Sequence, residues 1–209
     1  MARPYTPTTP GTQRGSFELV IKAYPQGIVS PYLHSLTVGD SIHVKGPFQK
    51  LLYTPNMKKR IGMIAGGTGI TPMMQLLRTI LNNKQDHTQV DLLFANRAEE
   101  DILLREQLDD MAKNHPHFRV HYVLSDVPSL PTEGRPWNGL KGRIEKDMIS
   151  RLLPPPSPDT LIYVCGPPGM MQAVSGEKIS PSDQGSVEGH LCDLGFRGNI
   201  NYEIMITLD

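Results

Sequence analysis

Two rhythms of apolar and polar positions divide the chain. Up to residue 54 apolar and polar residues alternate in short runs. Ser16–Ala23 (SFELVIKA) alternates and carries Phe, Val and Ile, and Ser41–Lys45 (SIHVK) alternates after the turn Gly39-Asp40; both patterns predict β-strands. One short helix is predicted over Pro31–Leu36, with Ser30 as its cap and Pro31 at its first position. Residues 55–60 are polar and read as a linker.

From residue 61 the runs become continuous. Ile61–Ala65, Val90–Ala95, Arg119–Leu124 and Leu161–Cys165 predict buried strands. Between them, helices are predicted from the cap Thr71-Pro72 to about Leu81, over Asp101–Lys113, over Glu145–Leu153 and from Met170 onward, with residues 126–143 as a Gly/Pro-rich loop. Strand–helix alternation predicts right-handed βαβ units and a parallel sheet flanked by helices. The expected architecture is therefore an antiparallel β domain over 1–54, a linker over 55–60, and an α/β domain over 61–209.

Composition narrows the function. The 209 residues suffice for one or two domains with a real core, and 21 basic against 21 acidic residues give a formal net charge of zero, which argues against a nucleic-acid binder. The two cysteines, Cys165 and Cys192, cannot build a disulfide framework or a CxxC metal site, and a reducing compartment is expected. The first residues, MARPYTPTT, lack the apolar core of a signal peptide, and no apolar run is long enough to span a bilayer.

Three stretches carry candidate chemistry. In GMIAGGTGITPMMQLL (62–77) a buried strand runs into Gly66, Gly67 and Gly69 and then a helix. Glycines permit a tight turn and close approach of a ligand, and helix amides favour an anion, so phosphate is the natural guest. It is neither a P-loop nor a GxGxxG fingerprint; a strand–helix turn that merely packs also fits. The second stretch, IYVCGPPGMMQ (162–172), repeats the arrangement. Two such loops at one end of a parallel sheet favour a dinucleotide crevice. Cys165 reads equally as a small buried apolar residue at its mouth. In ARPYTPTT (2–9), Arg3 can fork onto a phosphate, Tyr5 offers a flat face and Thr6 a hydroxyl; a plain β-edge fits as well. Ser30-Pro31 is a further helix start, with Gly27 three residues upstream.

The order RPYT (3–6), GxxS (27–30), GP (46–47), GGTGITPM (66–73), EEDILLR (99–105) and CGPPGM (165–170) resembles the ferredoxin–NADP reductase superfamily and, within it, the NADH–cytochrome b5 reductases. SGEK–SP–DQG (175–185) and GHLCDLGF (189–196) are similar to the mitochondrial branch. The resemblance implies a partial antiparallel β-barrel that binds flavin, followed by a nicotinamide-binding α/β domain. It implies an enzyme that passes a hydride from NADH to FAD and then single electrons to a haem protein such as cytochrome b5. By position, Arg3 would hold the FAD pyrophosphate, with Pro4 beside it, Tyr5 packed along the flavin, and Thr6 bonded near its N5. Val20 and Lys22 would line the FAD site, Lys22 also facing NADH; Val29 and Ser30 would cap the FAD phosphates, and Thr71 would touch the flavin. Gly67, Thr68, Gly69, Cys165, Gly166, Pro167 and Met170 would form the NADH side. Thr6, Lys22 and Cys165 are the implied catalytic positions.

Against the family pattern, the anchor and roughly three barrel strands expected before RPYT are not in this sequence, so a truncated form is expected. Ser125 stands where the family usually has Asp, with Asp126 one place later, and the tail after Phe196 is unfamiliar. The resemblance also implies the mitochondrial outer membrane or another cytosol-facing membrane as location. Lys58, Lys59 and Arg60 form the compact basic cluster that could meet an acidic partner, or simply be solvated. Two alternatives remain open: the reductase module of a larger redox protein, and a nucleotide-binding module without turnover.

Overall fold

The computed structural model describes residues 2–48, 53–127, 136–177, 179, 185–197 and the backbone of 200–202. The elements are α1 (Val29–Ser35), β1 (Arg60–Gly66), α2 (Ile70–Leu81), β2 (Gln89–Asn96), α3 (Arg105–Asn114), β3 (Phe118–Leu124), β4 (Leu140–Lys141), α4 (Lys146–Leu152), β5 (Thr160–Cys165), α5 (Pro168–Ser175), α6 (Gly189–Asp193) and β6 (Ile200–Tyr202). The strands form one sheet in the order β4-β3-β2-β1-β5-β6, and every pair is parallel.

A parallel sheet must be covered on both faces, which is why its central strands are apolar at nearly every position. Alternation sends Ile61, Met63, Val90, Leu92, Phe94, Leu161 and Tyr163 to one face, where Ile70, Met73, Met74, Leu77 and Ile80 of α2 and Leu108 of α3 cover them. Ile64, Leu93, Ile162 and Val164 go to the other, under Ile149 of α4, Met171 and Val174 of α5, and Leu191 of α6. All four predicted central strands and their intervening helices are present.

Several local expectations are corrected. Among the described residues no strand forms before residue 60. Residues 16–23 make one backbone rung, Thr8 N–H to the Glu18 carbonyl at 2.9 Å, and Phe17, Ile42, Val44 and Phe48 are 50%, 41%, 61% and 67% exposed. Alternation marks a chain that could lie on a sheet, but a ladder also needs a neighbouring strand, which these segments do not have among the described residues. The first helix begins at Val29, so Ser30 lies inside it, and its Oγ accepts the Tyr24 amide at 3.2 Å. The second begins at Ile70; Thr71 sits in the first turn and its hydroxyl donates to the Thr68 carbonyl. The third begins at Arg105 rather than Asp101, because Leu104 adopts φ 58° and breaks the preceding turn off from the helix. Leu140–Lys141, inside the predicted loop, pairs with β3, and the unfamiliar tail contributes β6 beside β5.

The predicted linker is tied down. Tyr53 donates its hydroxyl to Asp86 Oδ2 at 2.6 Å, and Asp86 Oδ1 accepts the Thr88 hydroxyl at 2.7 Å, the Thr88 amide at 3.1 Å and the Asn56 amide at 3.3 Å. Burial pushes the Asp86 carboxyl up, but these hydrogen bonds outweigh it and hold the group below its ordinary value. A carboxyl depressed on folding stabilises the fold above its unfolded pKa, and that contribution disappears as pH falls through the folded value. Asp86→Asn is therefore expected to lose about 1–3 kcal/mol near neutrality, since of the four donors around the carboxylate at least one, the Tyr53 hydroxyl, would then face an amide NH2 instead of an acceptor. The deficit should shrink as pH drops below about 4; urea melts of both proteins across that range check this, and a deficit that does not change with pH would refute it.

Candidate active site

The chain moves outward from β1 through β2 and β3 to β4, then returns to β5 on the other side of β1. The reversal makes the β1/β5 boundary a topological switch point, where the loops leaving the two strands part and a crevice opens at the carboxyl edge. Both glycine-bearing loops lie there. A Cβ on Gly69 would fall 2.1 Å from the Cys165 carbonyl oxygen and 2.9 Å from the Gly166 nitrogen, so the two loops are in backbone contact. A Cβ on Gly66 would meet the Met170 sulfur and Pro167 Cδ at 2.8 Å, and one on Gly166 the Met170 methyl at 2.4 Å.

The glycines thus fall into two groups. Gly66, Gly69 and Gly166 are buried and serve loop-to-loop packing. Gly67 adopts φ 51° with nothing within 4 Å of where a Cβ would sit, and Gly169, exposed in the first turn of α5, is equally open. Gly67 is the position where backbone faces open space beside the start of α2, the arrangement that suits an anionic ligand. Thr68 is half-buried beside it, Pro167 is exposed as the cap of α5, and Met170 is half-buried between the loops. Cys165 is fully buried on the α2 face of the sheet.

The N-terminal segment is fastened to the same region. Thr9 and Thr8 lie against α2, where Gln75 Nε2 donates to the Thr9 carbonyl at 3.1 Å and Arg78 Nη1 to the Thr8 carbonyl at 3.1 Å. These contacts fall on the middle and the last turn of α2 and are made by Thr8 and Thr9, the residues that follow RPYT. Tyr5 is half-buried and lies near Tyr24; burial, the main cause, raises its hydroxyl pKa. The Tyr24 amide in turn binds Ser30, and a Cβ on Gly27 would meet Ser30 Oγ at 3.1 Å. Tyr5, Tyr24, Gly27 and Ser30 therefore form one local unit, with Val29 opening α1. Arg3 is half-buried and makes no ion pair among the described residues, Pro4 is exposed, and Thr6 and Val20 are half-buried.

Lys22 crosses to the α/β domain. Its Nζ donates to Asp101 Oδ1 at 3.0 Å, while Asp101 Oδ2 accepts the Ala98 amide at 3.3 Å. The Lys22 hydrogen bond is the main reason the Asp101 carboxyl lies below its ordinary value. Sequence reading singled out Lys22 but not Asp101, Arg78 or Asn96. Asn96 had a signal: a polar residue closing the apolar strand VDLLFAN at its carboxyl end. Asp126, beyond β3, binds the Arg97 carbonyl through its amide and faces Arg97 Nε at 3.8 Å. Two members of the basic cluster are engaged: Lys59 pairs with Asp159 at 2.7 Å, and Lys58 donates to the Pro158 carbonyl. The described residues hold no metal-binding cluster.

The residues available fit two nucleotide cofactors side by side: an open αL glycine at a helix start for phosphate, a half-buried tyrosine next to an unpaired arginine, and a buried unpartnered carboxamide at Asn96. Comparison with known proteins agrees. Residues 1–53 match the oxidoreductase FAD-binding domain and residues 63–176 the oxidoreductase NAD-binding domain. The chain is 49% identical over 194 residues to an NADH-cytochrome b5 reductase-like protein of Arabidopsis thaliana, covering 93% of this chain and 57% of that protein. It is 48% identical over 174 residues to NADH-cytochrome b5 reductase 1 of Dictyostelium discoideum, covering 83% and 59%. Both relatives are thus spanned over somewhat more than half their length. Among solved structures, the cytochrome b5 reductase domain of Ulva prolifera nitrate reductase superposes with a TM-score of 0.78 at 37% identity, covering 96% of this chain and 77% of that one. With the fold, the paired glycine loops and both domain matches in agreement, the chain belongs to the NADH–cytochrome b5 reductase family of FAD- and NAD-binding oxidoreductases.

Proposed function

We propose that the protein is a flavin-dependent oxidoreductase that takes a hydride from NADH onto FAD and delivers single electrons to a haem protein such as cytochrome b5. The observation that carries this reading is the backbone contact of the two glycine loops at the switch point, Gly69 against Cys165 and Gly166, with Thr8 and Thr9, just after RPYT, fastened along α2. When bound, flavin and nicotinamide supply the redox chemistry, and the protein supplies binding, orientation and electrostatics.

In this reading Gly67, Thr68 and Gly69 with Gly166, Pro167 and Met170 hold the nicotinamide nucleotide, and Cys165 backs them from beneath. Arg3, Pro4, Tyr5, Thr6, Val20, Val29, Ser30 and Thr71 receive the flavin nucleotide. Lys22, held by Asp101 across the domain boundary, is placed to meet an anionic group of either. Ser125 and Asp126 lie at the carboxyl end of β3, and NADH is the donor we favour because the Asp126 carboxylate would oppose an added phosphate there. Association with a cytosol-facing membrane, such as the mitochondrial outer membrane, belongs to the same proposal and rests on the tail motifs; among the described residues no helix is long and apolar enough to cross a bilayer. The likeness to the Ulva prolifera domain supports a second reading, a reductase module within a larger redox protein.

The test is a visible absorption spectrum of the purified protein, before and after NADH is added without oxygen. The expected result is a flavin band that bleaches on addition. Absence of the band even after FAD is supplied, with NADH binding retained, would overturn the enzyme reading in favour of a nucleotide-binding module.

A further inference from the structure

Asn96 ends β2 on the face that carries Val90, Leu92 and Phe94, the side covered by α2 and α3. Its register partner on β3 is Leu124, and the preceding Ala95 is level with Gly66 of β1. The residue therefore stands one step past Gly66, alongside Gly67. It is 8% exposed, and neither Oδ1 nor Nδ2 has a hydrogen-bond partner among the described residues. Its own carbonyl is used, accepting the Ser125 amide at 3.1 Å, so it is the side chain alone that is unsatisfied.

His117 Nε2, just before the opposite end of β3, also lacks a hydrogen-bond partner among the described residues, but the buried carboxylates nearer in sequence to Asn96 are satisfied. Asp91, on the same strand, is paired with Arg119 at 2.6 Å, and Asp86 is hydrogen-bonded on both oxygens. A buried amide left unpaired costs the full desolvation of its polar atoms, and such a group in a folded chain calls for an explanation. Ligands of open α/β sheets bind at the carboxyl edge, where Asn96 sits.

We propose that the Asn96 carboxamide is a binding residue that hydrogen-bonds a ribose hydroxyl of the nicotinamide nucleotide. The inference rests on the dinucleotide reading given above and extends it to a position outside the glycine loops. The chemistry of the group selects the ribose. A carboxamide offers both donors and an acceptor, so its complement must do the same. A hydroxyl does; a phosphate, which only accepts, would leave Oδ1 unpaired. With the phosphates at Gly67, a ribose one step along the edge reaches the end of β2.

The test compares wild type with Asn96→Leu, close in volume but apolar, and with Asn96→Ser, which keeps a small hydroxyl. Binding of NAD+, ADP-ribose and inorganic pyrophosphate is titrated, and each protein is melted without ligand. Asn96→Leu is expected to weaken NAD+ and ADP-ribose about tenfold, the loss of one good hydrogen bond, to leave pyrophosphate unchanged, and to melt no lower than wild type. Asn96→Ser should fall between, and decides the matter if the leucine variant does not fold. Unchanged NAD+ affinity in a folded variant would overturn the proposal and leave Asn96 as the ligand of a buried water. Loss of pyrophosphate binding as well would overturn the ribose assignment. A wild type that binds none of the three ligands would instead refute the dinucleotide reading, and this inference with it.

Discussion

Gly69→Ala is expected to destabilise the protein by about 3 kcal/mol or more and to abolish dinucleotide binding. The added methyl group would sit 2.1 Å from the Cys165 carbonyl oxygen, 2.5 Å from its carbon and 2.9 Å from the Gly166 nitrogen. All three are backbone atoms at the end of a strand that is buried along its whole length, so no rotamer change relieves the overlap. The β1 and β5 loops would have to separate, and the crevice would lose its shape. A chain of this size loses roughly 2–4 °C per kcal/mol, so a fall near 10 °C is expected. Gly67→Ala is the contrast. Nothing lies within 4 Å of its Cβ position, and its φ of 51° costs alanine only about 1 kcal/mol. Its main effect should fall on nucleotide affinity, because the methyl group would occupy open space where the ligand approaches. Thermal melts and NAD+ titrations of the two variants separate the roles; a Gly69→Ala protein that melts with wild type would show that the loops are not packed as described.

That division between packing and ligand-facing glycines was not legible in AGGTGI, where all three look alike. Sequence shows that glycine is needed, not whether the crowding comes from the chain itself or from a guest. Much else was legible. The central strands and the loops after β1 and β5 follow from apolar runs closed by glycine, because a strand buried on both faces admits little else. Helix starts were read less well. Thr71-Pro72 and Ser30-Pro31 look like caps, yet both hydroxyls lie inside their helices and bind the Thr68 carbonyl and the Tyr24 amide. Local propensity cannot distinguish a cap from a first-turn residue bonded elsewhere. The start of α3 depended on one left-handed leucine, which no propensity anticipates. The failures before residue 60 have another cause: strand formation there is a matter of neighbours, and alternation reports only what a residue would do if a neighbour were present. The site was partly hidden for the same reason. Lys22 stood out, but its partner Asp101 lies 79 residues away, and Asn96 matters only because its carboxamide is buried with no hydrogen-bond partner among the described residues.

Arg78 shows how far the two halves depend on one side chain, and Arg78→Met is expected to cost about 2–4 kcal/mol. The methionine keeps an apolar stem at this position of α2 and removes the guanidinium alone. Nη1 donates to the Thr8 carbonyl at 3.1 Å and to Glu18 Oε2 at 2.8 Å, and Nη2 to Gln107 Oε1 at 2.9 Å. These bonds are unequal. Glu18 is 64% exposed, so that pair is worth at most about 1 kcal/mol, and Glu18→Gln should be nearly silent. Thr8 is wholly buried, and without Arg78 its carbonyl loses a donor that water cannot easily replace. The larger part of the cost therefore sits at the seam between Thr8 and α2. The functional loss should be lopsided in the same way. Arg78 lies in the last turn of α2, more than two turns from Gly69, so NAD+ affinity should change less than twofold, whereas retention of FAD, which in our reading needs the N-terminal segment held against α2, should fall steeply. Flavin content after gel filtration, set beside an NAD+ titration of the same sample, measures both. Equal losses of the two cofactors would mean that Arg78 supports the whole fold; loss of flavin alone would locate its role at the seam between the N-terminal segment and α2.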